Sequence, residues 1–244
     1  MRQGLKLLIL AGSAEARSIA QSAAGAGAEV QAWVTEPPRG PNPMPVPCEL
    51  VSFDDHGAIA AQMRGFDAVL DASHGFDGAM TAMGFAAARQ AGLPFLSVQR
   101  PPWQAEAVNW RTARDLGAAL PMITAGARVF SATGWASLPE YAGFNGSVLM
   151  LRQTSRHDRM PPFDFVKPIF GDPPFSTESE IALFAEVSVD LLICRNLGGT
   201  PSRPKLEAAL ALGLDVILID RPAPPAGLRV VTDTAPALEW LATL

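Results

Sequence analysis

The residues best placed for chemistry lie at four strand ends that carry polar, glycine-containing turns: Gly12-Ser13-Ala14, Asp71-Ala-Ser-His-Gly-Phe76, Ala132-Thr-Gly-Trp135 and Arg195-Asn-Leu-Gly-Gly-Thr200, which leads to Lys205. Open α/β sheets bind ligands beyond the carboxyl ends of their strands, where these turns would fall. Any one of them also reads as an ordinary loop, but four together favour ligands on both halves of the chain. Gly75 and the Gly198-Gly199 pair would let backbone approach a ligand closely. His74, between Ser73 and Gly75, is the candidate acid or base, with a structural or surface histidine as the competing reading.

The first turn opens a helix, and the N–H groups and dipole of a helix N-terminus favour phosphate. Only Gly12 of the three-glycine dinucleotide fingerprint is present, and Glu15 in the first turn would repel a phosphate. The stretch therefore reads equally as the opening βα unit of any α/β protein. Thr35 and Arg39, just after the second strand, stand where a ribose 2′-phosphate is read, which leans towards NADPH over NADH. Among the other cations, those at strand ends, such as Arg195, could hold a polyanionic substrate by bidentate pairing.

These turns need a frame. Apolar runs at 7–11, Val30 to Thr35, Asp67 to Ala72 and Phe95 to Val98 read as strands, with helices expected over Ser13 to Ala26 and Gly78 to Ala91. Strands alternating with helices indicate a parallel sheet. A helix is expected over Gln104 to Leu120, and alternation then resumes. Strands are expected at Arg128 to Ala132, Ser147 to Gln153, Asp164 to Ile169, Asp190 to Arg195, Asp215 to Asp220 and Leu228 to Thr232. A short helix is expected from Trp135 to Ala142, and another from Thr177, with Thr177 and Glu180 spaced as a capping box. The fold class is α/β, with two Rossmann-like parallel-sheet lobes and a cleft between them. The expected boundaries are 1–103 for a nucleotide-binding lobe, 104–120 for a connecting helix and 121–244 for a second lobe.

Composition narrows the partners. The net charge is −5, and no basic stretch interleaves with aromatics, which excludes nucleic acid as an expected partner. Two cysteines and three widely spaced histidines provide neither a disulfide framework nor metal-ligand spacing, so no metal is expected. The basic and apolar N-terminus imitates a signal peptide, but Glu15 and Arg17 follow at once, and a buried first strand explains it. No run approaches the ~18 apolar residues of a membrane span, and the expected location is the cytoplasm.

The blocks Leu10-Ala-Gly-Ser-Ala-Glu-Ala-Arg17, Asp71-Ala-Ser-His-Gly-Phe76, Arg100-Pro-Pro-Trp103, Val129-Phe-Ser-Ala-Thr-Gly134 and Arg195-Asn-Leu-Gly-Gly with Lys205-Leu-Glu-Ala-Ala209 resemble, in order and spacing, the precorrin-6A reductases of cobalamin biosynthesis. The chain departs from the family pattern at Ala11, Gly75, Arg195 and Leu197. The resemblance implies NADPH-dependent hydride transfer to the C18–C19 double bond of precorrin-6A, a polycarboxylated macrocycle. In that frame Gly12, Ser13 and Ala14 hold the pyrophosphate, and Thr35 and Arg39 read the 2′-phosphate. Ser73, His74 and Gly75 line the nicotinamide side. Arg100, Thr133, Gly134, Arg195, Asn196, Gly198, Gly199 and Lys205 face the substrate. Reduction of the cobalt-loaded macrocycle is the neighbouring alternative, and a non-catalytic nucleotide sensor is the more distant one.

Overall fold

Leu7 to Leu10 are fully shielded from solvent in β1 (Lys6–Ala11), and a strand buried on both faces needs helices on either side of its sheet. The computed structural model describes residues 1–37 and 43–244, so Arg39 lies outside the described residues. Two compact units form, residues 1–101 with 222–244, and residues 102–221.

In the first unit β1 leads into α1 (Ala14–Gly25), β2 (Glu29–Val34), β3 (Cys48–Leu50), α2 (His56–Met63), β4 (Ala68–Ala72), α3 (Gly78–Ala91) and β5 (Phe95–Val98). Their strands pair in parallel in the order β5-β4-β1-β2-β3, so the connections reverse direction between β1 and β4. That reversal is the switch point at which doubly wound sheets open a crevice. Side chains of α1 pack on one face, while Ile59 and Met63 of α2 and Met80 and Ala87 of α3 pack on the other.

The second unit contains β6 (Trp110–Ala113), α4 (Leu116–Ala119), β7 (Arg128–Ala132), β8 (Val148–Gln153), β9 (Val166–Phe170), α5 (Thr177–Glu186), β10 (Leu191–Arg195), α6 (Pro204–Ala211) and β11 (Asp215–Ile219). Its parallel order is β6-β11-β10-β7-β8-β9, with the reversal between β7 and β10. The chain then returns to the first sheet. There β12 (Val230–Val231) pairs with β5, and α7 (Thr234–Ala242) places Ala237, Trp240 and Leu241 in the core beside α1.

Three expectations are corrected. The boundary at 121–244 fails because the last 23 residues belong to the first unit, tied there by the β12–β5 pairing. The helix expected over 104–120 is cut down to α4 near its end, and β6 takes part of its place. The Asn109 side chain donates to the carbonyls of Gly213 and Leu214 and to Asp215 Oδ1, which anchors β6 beside β11; helix begins only after Asp115 caps α4. The segment Trp135–Gly143 is 3₁₀, with Pro139 inside it.

The capping box of α5 is also displaced. Ser176 is extended and caps the helix reciprocally with Ser179, so Thr177 is already helical and Glu180 is freed for another role.

Candidate functional site

On the first unit, β1 ends against the turn after β4. A Cβ on Gly12 would lie 2.4 Å from the backbone nitrogen of His74, so only glycine lets the two turns meet. Ser13 Oγ donates to the carbonyl of Ala72 at 2.8 Å and accepts the N–H of Ala16 at 3.2 Å. The hydroxyl thus fastens α1 to the switch point.

Glu15, whose position suggested repulsion of an anion, is ion-paired in the structure. Arg100, placed by the end of β5, grips it with two bonds of 2.6 and 2.7 Å. Partial burial pushes the Glu15 carboxyl up, but the Arg100 hydrogen bond and charge, with backbone bonding, hold it below the usual carboxylate value. The first turn of α1 therefore carries a cancelled charge.

Beyond β4 lies a pocket lined by Asp71, Ser73, His74, Gly75, Thr81, Gln99 and the returning segment Pro222 to Pro225. Asp71 is buried at its floor, where Thr81 Oγ1 and Ser97 Oγ donate to one oxygen at 2.9 and 2.8 Å, and the Ser73 N–H donates to the other. That network sets the Ser73 turn rigidly. His74 is exposed, and its Nδ1 accepts the N–H of Phe76 at 3.2 Å, which puts the proton of the neutral ring on Nε2. Thr35 donates instead to Asp77, the cap of α3, at 3.0 Å.

The second unit spends several of its expected substrate ligands on its own scaffold. Thr133 is buried in a hydroxyl cluster with Ser131, Ser137 and Tyr141, at 2.7 to 3.3 Å. Asn196 is buried too: its Oδ1 accepts the N–H of Trp103 at 2.8 Å and its Nδ2 donates to the Trp103 carbonyl at 3.0 Å. The Trp103 indole donates to the carbonyl of Gly199, where Gly198 and Gly199 both take positive φ. Asn196 and Gly199 therefore hold Trp103 in place.

Lys205 donates to the Ser202 carbonyl and lies 5.9 Å above the Trp103 ring. Burial pulls its pKa down and pushes the neighbouring Cys194 thiol up to about 11. Arg195 reaches beside Gly134.

Asn196→Ala is expected to cost about 2–4 kcal/mol in a denaturant melt, because it strands two buried backbone groups. Asn196→Asp should recover part of that by keeping the acceptor. An unchanged midpoint for the alanine variant would refute the clamp.

Two contributors to these sites carry no role in the sequence reading. Asp71 had a readable signal, a lone carboxylate in the buried strand Ala-Val-Leu-Asp-Ala. Pro222 to Pro225 had none, since they reach the pocket only through the return of the chain to the first sheet.

A sequence profile of the family described as Precorrin-6x reductase CbiJ/CobK matches residues 6–242. The chain belongs to that family. It is 31% identical over 246 residues to the Precorrin-6A reductase of Rhodococcus erythropolis, covering 98% of both chains. It is 32% identical to that of Mycobacterium tuberculosis, again over 98% of both, and 31% identical to that of Rhodobacter capsulatus over 91% of this chain and 90% of the relative. A solved structure of CobK precorrin-6A reductase superposes with a TM-score of 0.88 at 29% identity, covering 98% of this chain and 97% of that one. The α/β architecture with two parallel sheets is thus a property this chain shares with that CbiJ/CobK reductase. Among the described residues, no helix is long and apolar enough to cross a membrane.

Proposed function

We propose that the protein reduces precorrin-6A to precorrin-6B in cobalamin biosynthesis with NADPH as hydride donor, working in the cytoplasm. The observation that carries this reading is the alignment along 98% of the chain with proteins named precorrin-6A reductase. The first unit supports the cofactor assignment, because its switch point opens beside a helix N-terminus whose acidic residue Arg100 has neutralised.

Gly12, Ser13 and Ala14 would receive the pyrophosphate through backbone N–H groups, with the Ser13 hydroxyl fastening the helix rather than touching the phosphate. Arg39 would read the 2′-phosphate, with Thr35 giving up its bond to Asp77 to share the contact. Ser73, His74 and Gly75 would border the nicotinamide, above the floor set by Asp71. A bound nicotinamide supplies the hydride; the chain's part is to orient it and keep water away. His74, whose Nδ1 accepts the N–H of Phe76 and which is exposed at the pocket, is the candidate donor of the proton that follows. Arg100 fits the cofactor side through Glu15. On the second unit Arg195, Gly134 and Lys205 remain assigned to the substrate's carboxylates, with Thr133, Asn196, Gly198 and Gly199 shaping the turns that carry them.

The test is anaerobic mixing of the purified protein with metal-free precorrin-6A and either NADPH or NADH. Oxidation of NADPH in step with a change in the macrocycle spectrum, and faster than with NADH, is the expected result. Turnover only on cobalt-loaded macrocycle would move the substrate to the metallated form, and binding without oxidation of either cofactor would overturn the reductase reading.

A further inference from the structure

At the carboxyl edge of the second sheet, three aromatic rings from three different strand ends meet. Trp135 follows β7, His157 follows β8 and Phe170 ends β9. The Trp135 and His157 rings lie 4.4 Å apart and nearly perpendicular, and His157 and Phe170 lie 5.5 Å apart in the same edge-to-face manner. All three are only half-buried. Aromatic residues this large usually finish in the core of a folded unit or against a partner.

The histidine is held in place. Its Nδ1 accepts the N–H of Arg159 at 3.2 Å, and its Nε2 sits 3.4 Å from Oε1 of the buried Gln153, whose own amide donates to the Arg152 carbonyl. That arrangement fixes both the tautomer and the ring plane. Cations flank the rings at both ends. The exposed Arg156 stands 5.8 Å over Phe170, and at the other end Arg195 approaches Gly134, the neighbour of Trp135.

We propose that Trp135, His157 and Phe170, with Arg156, form a shelf that positions the tetrapyrrole-derived macrocycle, the rings contacting its conjugated face and Arg156 a peripheral carboxylate. This rests on the reading of the substrate as precorrin-6A. Charge and shape select that occupant. A flat conjugated ring satisfies aromatic surface by stacking, and guanidinium groups satisfy carboxylates arranged around its rim. Ligands of parallel sheets meet this edge of the strands. The shelf also gives the 153–159 segment a role that its sequence does not announce, since it supplies His157 and Arg156 from one loop.

The experiment titrates precorrin-6A into cofactor-free protein under anaerobic conditions, following the macrocycle's absorption, and measures KM for precorrin-6A and for NADPH separately. Trp135→Ala, His157→Ala and Arg156→Glu are compared with wild type, with melting temperatures recorded alongside. The expected result is binding of precorrin-6A weakened at least tenfold, and its KM raised to match, with KM for NADPH unchanged. Arg156→Glu is the mildest of the three for folding, because its side chain is exposed and stands 5.8 Å over Phe170 rather than inside the core.

Binding as tight as wild type in folded Arg156→Glu and Trp135→Ala overturns the shelf while leaving the reductase reading intact. Equal losses towards precorrin-6A and NADPH also overturn it, since they mark a structural role. Wild-type protein that neither binds nor reduces precorrin-6A overturns the reading and the shelf together.

Discussion

Replacing Arg100 by alanine is expected to weaken NADPH binding roughly tenfold to a hundredfold, and adding Glu15→Gln to the same chain is expected to restore most of the loss. Glu15 sits in the first turn of α1, where a carboxylate suits the helix dipole but opposes a phosphate placed at the same end. Arg100 cancels it with a two-pronged ion pair whose groups are about four-fifths shielded from solvent. Without the guanidinium, a full negative charge faces the phosphate. At a separation of ~6 Å and an effective dielectric of ~20 the repulsion is about 3 kcal/mol, and screening by water and salt lowers it.

Glu15→Gln alone should bind NADPH at least as tightly as wild type, because the carboxylate that opposes a phosphate at this helix end is gone. A double-mutant cycle on the dissociation constant reads the coupling directly. If Arg100→Ala instead leaves NADPH binding untouched and raises only KM for precorrin-6A, Arg100 serves the substrate, as the residue pattern alone suggested.

The pair also has a pH signature. With its folded pKa held below 4.5, Glu15 adds stability that is present above that value and is lost as pH falls through the lower, folded one. Arg100→Ala should flatten that acid limb.

The parallel sheets were legible because a strand buried on both faces must be apolar throughout. Leu7 to Leu10, Val69 and Leu70, and Leu191 to Cys194 carry that mark. Strands at the edges escape it. All three residues of β3 are exposed, and β6 exposes Arg111 and Thr112 at its centre, so neither shows a buried run. The segment 104–107 is rich in good helix formers, yet pairing with β11 outweighs that preference further along.

The return of β12 to β5 joins residues more than 130 positions apart, and no local pattern encodes it. The sites divide in the same way. Gly12 and His74 stood out as residue types at strand ends, and the structure brings their turns into contact. The occupation of Asn196, Thr133 and Glu15 by internal partners was invisible, because a polar side chain looks the same in a sequence whether it faces a ligand or its own backbone.

Arg152→Met is expected to cost about 3–5 kcal/mol of stability, and the double variant Arg152→Met with Glu180→Leu to recover most of it. Two bonds of 2.8 and 2.9 Å join the guanidinium to Glu180, with the side chains 10% and 3% exposed. The guanidinium also packs against the rings of Phe130 and Phe175 at 5.1 and 4.1 Å, so methionine keeps much of the volume. The single substitution therefore removes the charge partner and leaves a carboxylate stranded where water does not reach. Replacing both groups by apolar ones removes the desolvation cost together with the attraction.

The pH dependence separates this from a packing loss. Burial raises the Glu180 carboxyl above its ordinary value of 4.5, and Arg152 and Lys205 offset only part of the rise. The folded state thus binds that proton more readily than the unfolded one, so stability falls as pH rises from about 4.5 through the folded value. Losing Arg152 pushes the folded value higher still, which widens the range over which stability declines. Urea melts at pH 5 and pH 8 should accordingly show a larger deficit for Arg152→Met at pH 8, and little pH dependence in the double variant. Equal deficits at both pH values would place the loss in packing on Phe130 and Phe175.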